Sequence, residues 1–357
     1  MKIAIIGSGN IANTHAQELI GMGRKIALVV GIEPEKTKEF QKTWNIENST
    51  DDFSQALADD ITTVHVCTPP ALHYRMVRDL ILAGKNVICE KPLCLTASEA
   101  KELYDLSHEK GVVTAVNFNV RYHRACGEFR KKVQSEDFGR FCLVHGTYEQ
   151  EFHVLPADYM WRYQPEIAGP MRATTEIGSH WIDLVRFLSG HEITAVSATY
   201  GKFTPDRYVK DGMMYEFPPD GAKKIHVESD DAVIAALRFD NGAIGNLFLS
   251  EVTHGRSNYI SMEITGTKQT VSWNSEDPYK LRTATKFSGT LCETDAFAGG
   301  FPNTFSAFFC EVYRDMDAGT PSQEPDYPTF RDGYINAAVC EAIYESANHD
   351  SKWMEVK

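Results

Sequence analysis

Three sets of residues have the types and spacing to do chemistry. The first is Glu90-Lys91-Pro92, which follows directly on the short apolar run "NVIC". An ammonium delivered to the end of a strand can hydrogen-bond a substrate oxygen and stabilise alkoxide charge as it develops. Glu90 can hold that ammonium or a cofactor amide, and Pro92 fixes the backbone, a cis peptide bond being one way to do so.

The second set is Glu176 and His180, four apart on a helix predicted over 174–188 and therefore on one face. A carboxylate beside an imidazole orients the ring and raises its basicity, which suits His180 to take a hydroxyl proton. Asp183, three residues further on, stands between a structural role and a substrate contact. The third set is the turn "GSGNIA" at 7–12, a G-x-G-x-x-A pattern. Gly7 permits a tight turn, Gly9 lets backbone approach a pyrophosphate, and Ala12 allows close helix packing. With Ser8, Asn10 and Ile11 they open a helix whose unpaired N–H groups attract an anion.

These residues need a frame. Up to residue 122 apolar strands at 2–7, 25–32, 62–70, 86–90 and 111–118 alternate with helical segments that include 34–44, 73–83 and 96–110. Gly84 suits a helix C-cap. Strict alternation with all-apolar strands predicts a parallel sheet covered on both faces, so residues 1–122 read as a Rossmann dinucleotide-binding domain. The second strand reaches Gly31 where an acid would hold the ribose, and Glu33 stands two residues later. Glu33 favours NAD; Gly31 leaves room for a 2′-phosphate with no arginine beside it, so NADP stays open.

After residue 122 the pattern changes to strands in succession, such as "FCLVHGTYEQEF", "ITAVSATYG", "IHVESDDAVIAALRF" and "YISMEITGT". Many alternate apolar and polar residues, which predicts an α+β domain over 123–357 with a large open, mostly antiparallel sheet. Helices are expected at 174–188, 301–317 and 330–348. The aromatic stretch "FSAFFCEVY" (305–313) reads as helix core rather than a site. An uncovered sheet face suggests a homodimer or homotetramer formed through it.

The balance of the chain narrows the partners. With 36 basic and 49 acidic residues the formal charge is -13, and no Lys/Arg cluster is dense enough for nucleic acid. Apolar runs fall far short of the roughly 18–20 residues that span a membrane. Eight cysteines without a CxxC pair argue against a zinc site or a disulfide framework, so no metal is expected. "MKIAIIG" lacks the apolar stretch and cleavage site of a secretory signal, and the cytoplasm is the expected compartment.

With "GSGNIA", "VHVCTPPALH", "AGKNVICEKPL" and "EIGSHWIDLVRFLSG" in this order, the chain resembles the glucose–fructose oxidoreductase / inositol dehydrogenase (Gfo/Idh/MocA) family over essentially its whole length. The resemblance implies an NAD(P)-dependent dehydrogenase or reductase acting on a ring hydroxyl or ketone of a sugar or cyclitol. It implies Lys91, His180 and Glu176 as catalytic residues that also face substrate together with Asp183. It places Thr68, Pro69, His73, Glu90, Lys91 and Asn117 at the cofactor, with Trp161 and Arg162. Trp161 can equally stack on a sugar face. The family usually carries Asp at the position of Glu176. His15 also matches a common family position and is assigned to packing. Two other activities fit relatives of this fold: glycoside hydrolysis through transient oxidation, and non-catalytic sugar sensing, which would not need Lys91 and His180.

Overall fold

The computed structural model describes residues 1–296 and 299–357. The chain folds into two compact units: Met1–Tyr122 with Phe301–Ala337, and His123–Gly300 with Ala338–Lys357.

The first unit is built from β1 (Ile3–Ile6), α1 (Asn10–Gly21), β2 (Ile26–Val30), α2 (Pro34–Thr43), β3 (Asn48–Thr50), β4 (Thr63–Val66), α3 (His73–Leu82), β5 (Asn86–Cys89), α4 (Ala97–Lys110) and β6 (Thr114–Val116). Its six strands are ordered β3-β2-β1-β4-β5-β6 and all pair in parallel. β1, β2 and β4 are buried at every residue, as strands covered on both faces must be. The strand β3 has no counterpart in the sequence pattern, because its three polar residues give no apolar signal. Helix boundaries follow local chemistry. In α4 the Thr96 hydroxyl accepts from the Glu99 N–H and the Glu99 carboxylate accepts from the Thr96 N–H, and Gly111 closes the helix with φ 64°. The candidate site residues of this unit sit at the carboxyl ends of strands or in the turns and helix starts that follow, where such sheets bind ligands.

The second unit begins with α5 (Arg124–Val133), β7 (Phe141–Glu149), β8 (Ala157–Asp158), α6 (Pro165–Ala168), α7 (Ser179–Ser189) and β9 (Ile193–Gly201). It continues through β10 (Asp206–Lys210), β11 (Met213–Tyr215), β12 (Lys223–His226), β13 (Ala232–Phe239), β14 (Ile244–Ser250), β15 (Tyr259–Gly266), β16 (Thr270–Asn274), β17 (Lys280–Thr285) and β18 (Gly289–Thr294). The large sheet runs β18-β17-β16-β15-β7-β14-β13-β9-β19, where β19 is Met354–Glu355. It is antiparallel except for β7 beside β14. A second, four-stranded sheet, β12-β10-β11-β8, is an addition to the expected fold; its strands are short and mostly polar.

Two further helices are α8 (Phe301–Ala318) and α9 (Phe330–Asn348). The expected second domain ran unbroken from 123 to 357, but residues 301–337 belong to the first unit. The reason is the aromatic face of α8: Phe305, Phe308, Phe309, Val312, Tyr313 and Met316 share one core with Ile3, Ile5, Val29 and Ala16. Helical periodicity announces a buried face without naming the sheet it covers.

Candidate active site

The glycine turn leads from β1 into α1. Gly7 has φ 109°, and a Cβ there would stand 2.7 Å from the Cys67 carbonyl oxygen, so only glycine fits. A Cβ on Gly9 would meet nothing within 4 Å. Gly9 is the N-cap of α1, supplies no side-chain acceptor, and no acid occupies the first turn. The helix therefore keeps N–H groups and the positive end of its dipole for an external anion. Ser8 and Ile11 are half-buried and Asn10 is exposed along this turn. The room expected over Gly31 is already taken: a Cβ there would collide with Thr37 Oγ1 and stand 3.2 Å from Ser8 Oγ. Glu33 stands exposed at the start of α2 and pairs with Lys36 Nζ at 2.6 Å. The cation beside Glu33 is thus a lysine one helical turn away, not an arginine next to Gly31.

At the end of β5 the Lys91–Pro92 peptide is cis. Glu90 is buried and holds the centre of a cluster. Its Oε1 receives the Asn117 amide Nδ2 and lies 2.9 Å from His15 Nε2, while Oε2 accepts from the Lys91 N–H at 3.3 Å. Burial pushes the Glu90 carboxyl up, but the His15 ring, by hydrogen bond and by charge, the Asn117 hydrogen bond and the nearby Lys91 charge outweigh it and hold the group below its ordinary value. Asn117 Oδ1 is buried without a hydrogen-bond partner. Its Nδ2 is fixed on Glu90, so Oδ1 waits for an incoming donor.

His73 corrects an expectation. It is fully buried and offers no surface to a cofactor. Its ring instead spans two backbone carbonyls, Thr68 O at 2.7 Å and Pro92 O at 2.9 Å, tying the loop after β4 to the lysine loop. Thr68 and Pro69 remain half-exposed on that loop. His15, assigned to packing, is likewise fully buried but polar in employment. Its partner His65 is hidden from sequence reasoning inside the apolar run "TTVHV".

In the second unit, Thr174–Gly178 form a π-turn that runs straight into α7. One wide turn among α-turns is a frequent mark of a functional site. It also changes the angular step, so the i, i+4 argument for Glu176 and His180 no longer places both on one stripe. The ion pair that the structure gives Glu176 is with Arg162 Nε at 2.9 Å, and His153 Nε2 lies 3.9 Å away. Arg162 in turn stacks 4.6 Å over the Trp161 ring. The tryptophan–arginine pair thus reaches Glu176. His180 is buried beside the Tyr148 ring, at 6.4 Å between centroids, and Asp183 is buried further along α7.

Behind Glu176 lies a polar core that no motif signalled. Arg172 Nη1 donates to Glu251 Oε2 at 2.6 Å, Arg172 and Arg207 both reach Asp231 Oδ1, and the Tyr163 hydroxyl meets His153 Nδ1. His153, Glu176 and Glu251 bring ligand-type atoms within 4.8 Å of one another. Arg162 and Arg172 already sit on those carboxylates, and two guanidinium charges oppose a metal cation there.

The turn, the open approach at Gly9, the uncapped helix and the waiting Asn117 acceptor fit a dinucleotide with a terminal amide. Comparisons with known proteins agree. Residues 1–118 match the Gfo/Idh/MocA family model described as oxidoreductase family, NAD-binding Rossmann fold, and residues 130–356 match its C-terminal alpha/beta domain. A levoglucosan dehydrogenase of Pseudarthrobacter phenanthrenivorans is 30% identical, with all of this chain and 98% of that protein covered. An inositol 2-dehydrogenase of Acidothermus cellulolyticus is 25% identical over 98% of this chain and 94% of its own. The solved structure of levoglucosan dehydrogenase with NADH and levoglucosan superposes with a TM-score of 0.90 at 29% identity, covering 100% of this chain and 99% of that one. Both halves of the fold and the residues of the lysine loop point one way: the chain belongs to the Gfo/Idh/MocA family and is an NAD-dependent oxidoreductase.

Proposed function

We propose that this enzyme oxidises a secondary ring hydroxyl of a monosaccharide-sized sugar, with anhydro-pyranoses of the levoglucosan type as the first candidates, to the ketone. The observation that carries the chemistry is Lys91 at the end of β5 beside a Glu90 held as an anion. An ammonium beside that charge hydrogen-bonds the reacting oxygen and stabilises its alkoxide. His180 accepts the hydroxyl proton, and Glu176, aligned by Arg162, orients that step. NAD, when bound, takes the hydride from the carbinol carbon. The choice of sugar rests on full-length likeness to a levoglucosan dehydrogenase.

The test is NADH formation from levoglucosan, glucose and myo-inositol with NAD and with NADP. Levoglucosan with NAD is expected to give the highest kcat/KM. Sugar turnover without net NADH would replace this reading with transient oxidation. Oxidation is expected to rise with pH through the ionisation of His180 in wild type and to lose that rise in His180→Ala.

The same reading includes assembly and compartment. Ile234 opposite Phe248, and Ile244 opposite Leu143, are large apolar residues exposed on the big sheet. We place a homo-oligomer contact there, checked by light scattering of Phe248→Asp. All eight cysteines are free, which suits a reducing cytoplasm. Among the described residues no helix is long and apolar enough to cross a membrane.

A further inference from the structure

Four buried side chains of the first unit form an unbroken hydrogen-bonded line that ends on Glu90. The Tyr313 hydroxyl is 2.9 Å from His65 Nε2, His65 Nδ1 is 2.8 Å from His15 Nδ1, and His15 Nε2 is 2.9 Å from Glu90 Oε1. Tyr313 comes from α8, His65 from β4, His15 from α1, and Glu90 follows β5. Phe305 and Phe309 pack against the His15 ring, and Phe309 also packs against His65, so water has no place beside the imidazoles.

We propose that Tyr313, His65 and His15 are positioning residues, forming a one-way donor chain that keeps Glu90 an anion beside Lys91. This deepens the dehydrogenase reading and rests on it for the role of Lys91. The direction follows from counting protons. A carboxylate Oε1 accepts only, so His15 Nε2 carries a proton toward it. A neutral His15 then has a lone pair on Nδ1, and His65 must donate from Nδ1. That leaves a lone pair on His65 Nε2, which the Tyr313 O–H satisfies. Each donor meets an acceptor; the reversed arrangement, with His15 Nε2 accepting from Asn117 Nδ2 at 3.3 Å, would set that lone pair against the Glu90 carboxylate at 2.9 Å.

Other forces support this state. Burial pushes His65 well below the ordinary imidazole value, so it stays neutral. Burial likewise pushes Tyr313 up, so its hydroxyl keeps its proton. The chain is therefore closed at the tyrosine and conducts no net proton. The remaining titratable groups facing Glu90 are Lys91, His73 and the thiols of Cys67 and Cys89; burial pushes both thiols up, so they stay uncharged. One added proton on the His15–Glu90 pair would reverse the line, with His15 Nδ1–H donating to His65 and His65 Nε2–H to Tyr313.

Two experiments decide. A neutron structure of the deuterated NAD complex, grown at a pH above the imidazole range of about 6.5, reads the protons without reference to activity. Deuterium is expected on His15 Nε2, His65 Nδ1 and Tyr313 Oη, and none on Glu90; deuterium on His15 Nδ1 or His65 Nε2 overturns the chain. The second is kinetic. Tyr313→Phe removes the donor that pins the direction, and the lower limb of kcat, set by Glu90 and separate from the His180 rise, should move up by about one pH unit. His65→Asn still presents an N–H to His15 and should hold kcat within about threefold, while His65→Leu should lose about tenfold. A limb that stays in place in Tyr313→Phe, or equal losses in His65→Asn and His65→Leu, reduces the line to packing. Failure of the sugar panel alone would strike the dehydrogenase reading and leave the neutron result standing.

Discussion

Glu90 in the first unit and Glu251 in the second are both buried carboxyl groups, yet their surroundings drive them in opposite directions. Glu90 meets dedicated donors, the His15 ring and the Asn117 amide, with the Lys91 ammonium close by, and is held below the ordinary carboxyl value. Glu251 meets a full cation at 2.6 Å, Arg172, and is still pushed well above that value. Burial is the first cause; Arg172 opposes it, and the charges of Glu176 and Asp230 reinforce it. Arg172 is also divided, because it serves Asp231 as well. Glu251 Oε1 has no hydrogen-bond partner, whereas both oxygens of Glu90 are bonded. Dedicated donors decide the charge of a buried acid more than the presence of a cation that others share.

Breaking the second cluster should have the larger effect on stability. Arg172→Met leaves Asp231 and Glu251 buried without their main cation and should cost about 3–5 kcal/mol. Urea unfolding checks this, and a cost under about 1 kcal/mol would mean that Arg207 alone supports the cluster. Breaking the first cluster should instead show in catalysis. Lys91→Ala should lower kcat by about 10²- to 10³-fold, the loss expected for a removed oxyanion donor, with NADH affinity changed far less. Near-normal turnover would take Lys91 out of the mechanism. Asn117→Ala removes one neutral donor from Glu90 and should cost about 1.5–3 kcal/mol of stability, the range for hydrogen bonds to charged groups. It should also raise the lower, Glu90 limb of kcat, which a pH profile extended into acid reads directly.

The contrast also separates what sequence reveals from what it hides. The glycine turn, the E-K-P loop and the parallel sheet are legible because each is a local pattern with one physical use: a turn that only Gly7 can make, a buried strand ending in charge, an apolar run between helices. The lysine's own neighbourhood is half legible. Glu90 and Asn117, both read from the sequence, meet each other beside Lys91, but His15 passes for packing and His65 goes unseen, since a histidine in an apolar run carries no sign of its partner across the sheet. Tyr313 lies further out of reach, on a helix whose aromatic face could cover either sheet. In the second unit Glu176 and His180 stand out, while the π-turn under Glu176 alters the geometry that an α-helix would give. Arg172, Asp231 and Glu251 are spread over about 80 residues and meet only in three dimensions. Nothing in their spacing announces a cluster.

The smallest effect expected is also the sharpest test of the comparison: the pH dependence of stability in Glu251→Gln against Glu90→Gln. Glu251 has a raised value in the folded state, so between the unfolded glutamate value of about 4.3 and the folded value the native protein binds the extra proton. Its contribution is fully present below the unfolded value and is lost as pH rises toward the folded one. Glutamine does not titrate and resembles the protonated acid, so Glu251→Gln should match wild type in acid and gain on it by on the order of 1 kcal/mol toward neutral pH. Glu90 is lowered, and its sign is reversed. Its contribution is present above the unfolded value and is lost as pH falls through the folded one. Glu90→Gln should therefore be less stable than wild type at neutral pH and approach it in acid. Urea midpoints across the acid-to-neutral range give both differences from one series. If Glu251→Gln instead falls behind wild type as pH rises, Glu251 is an ionised partner of Arg172, and the two glutamates are handled alike.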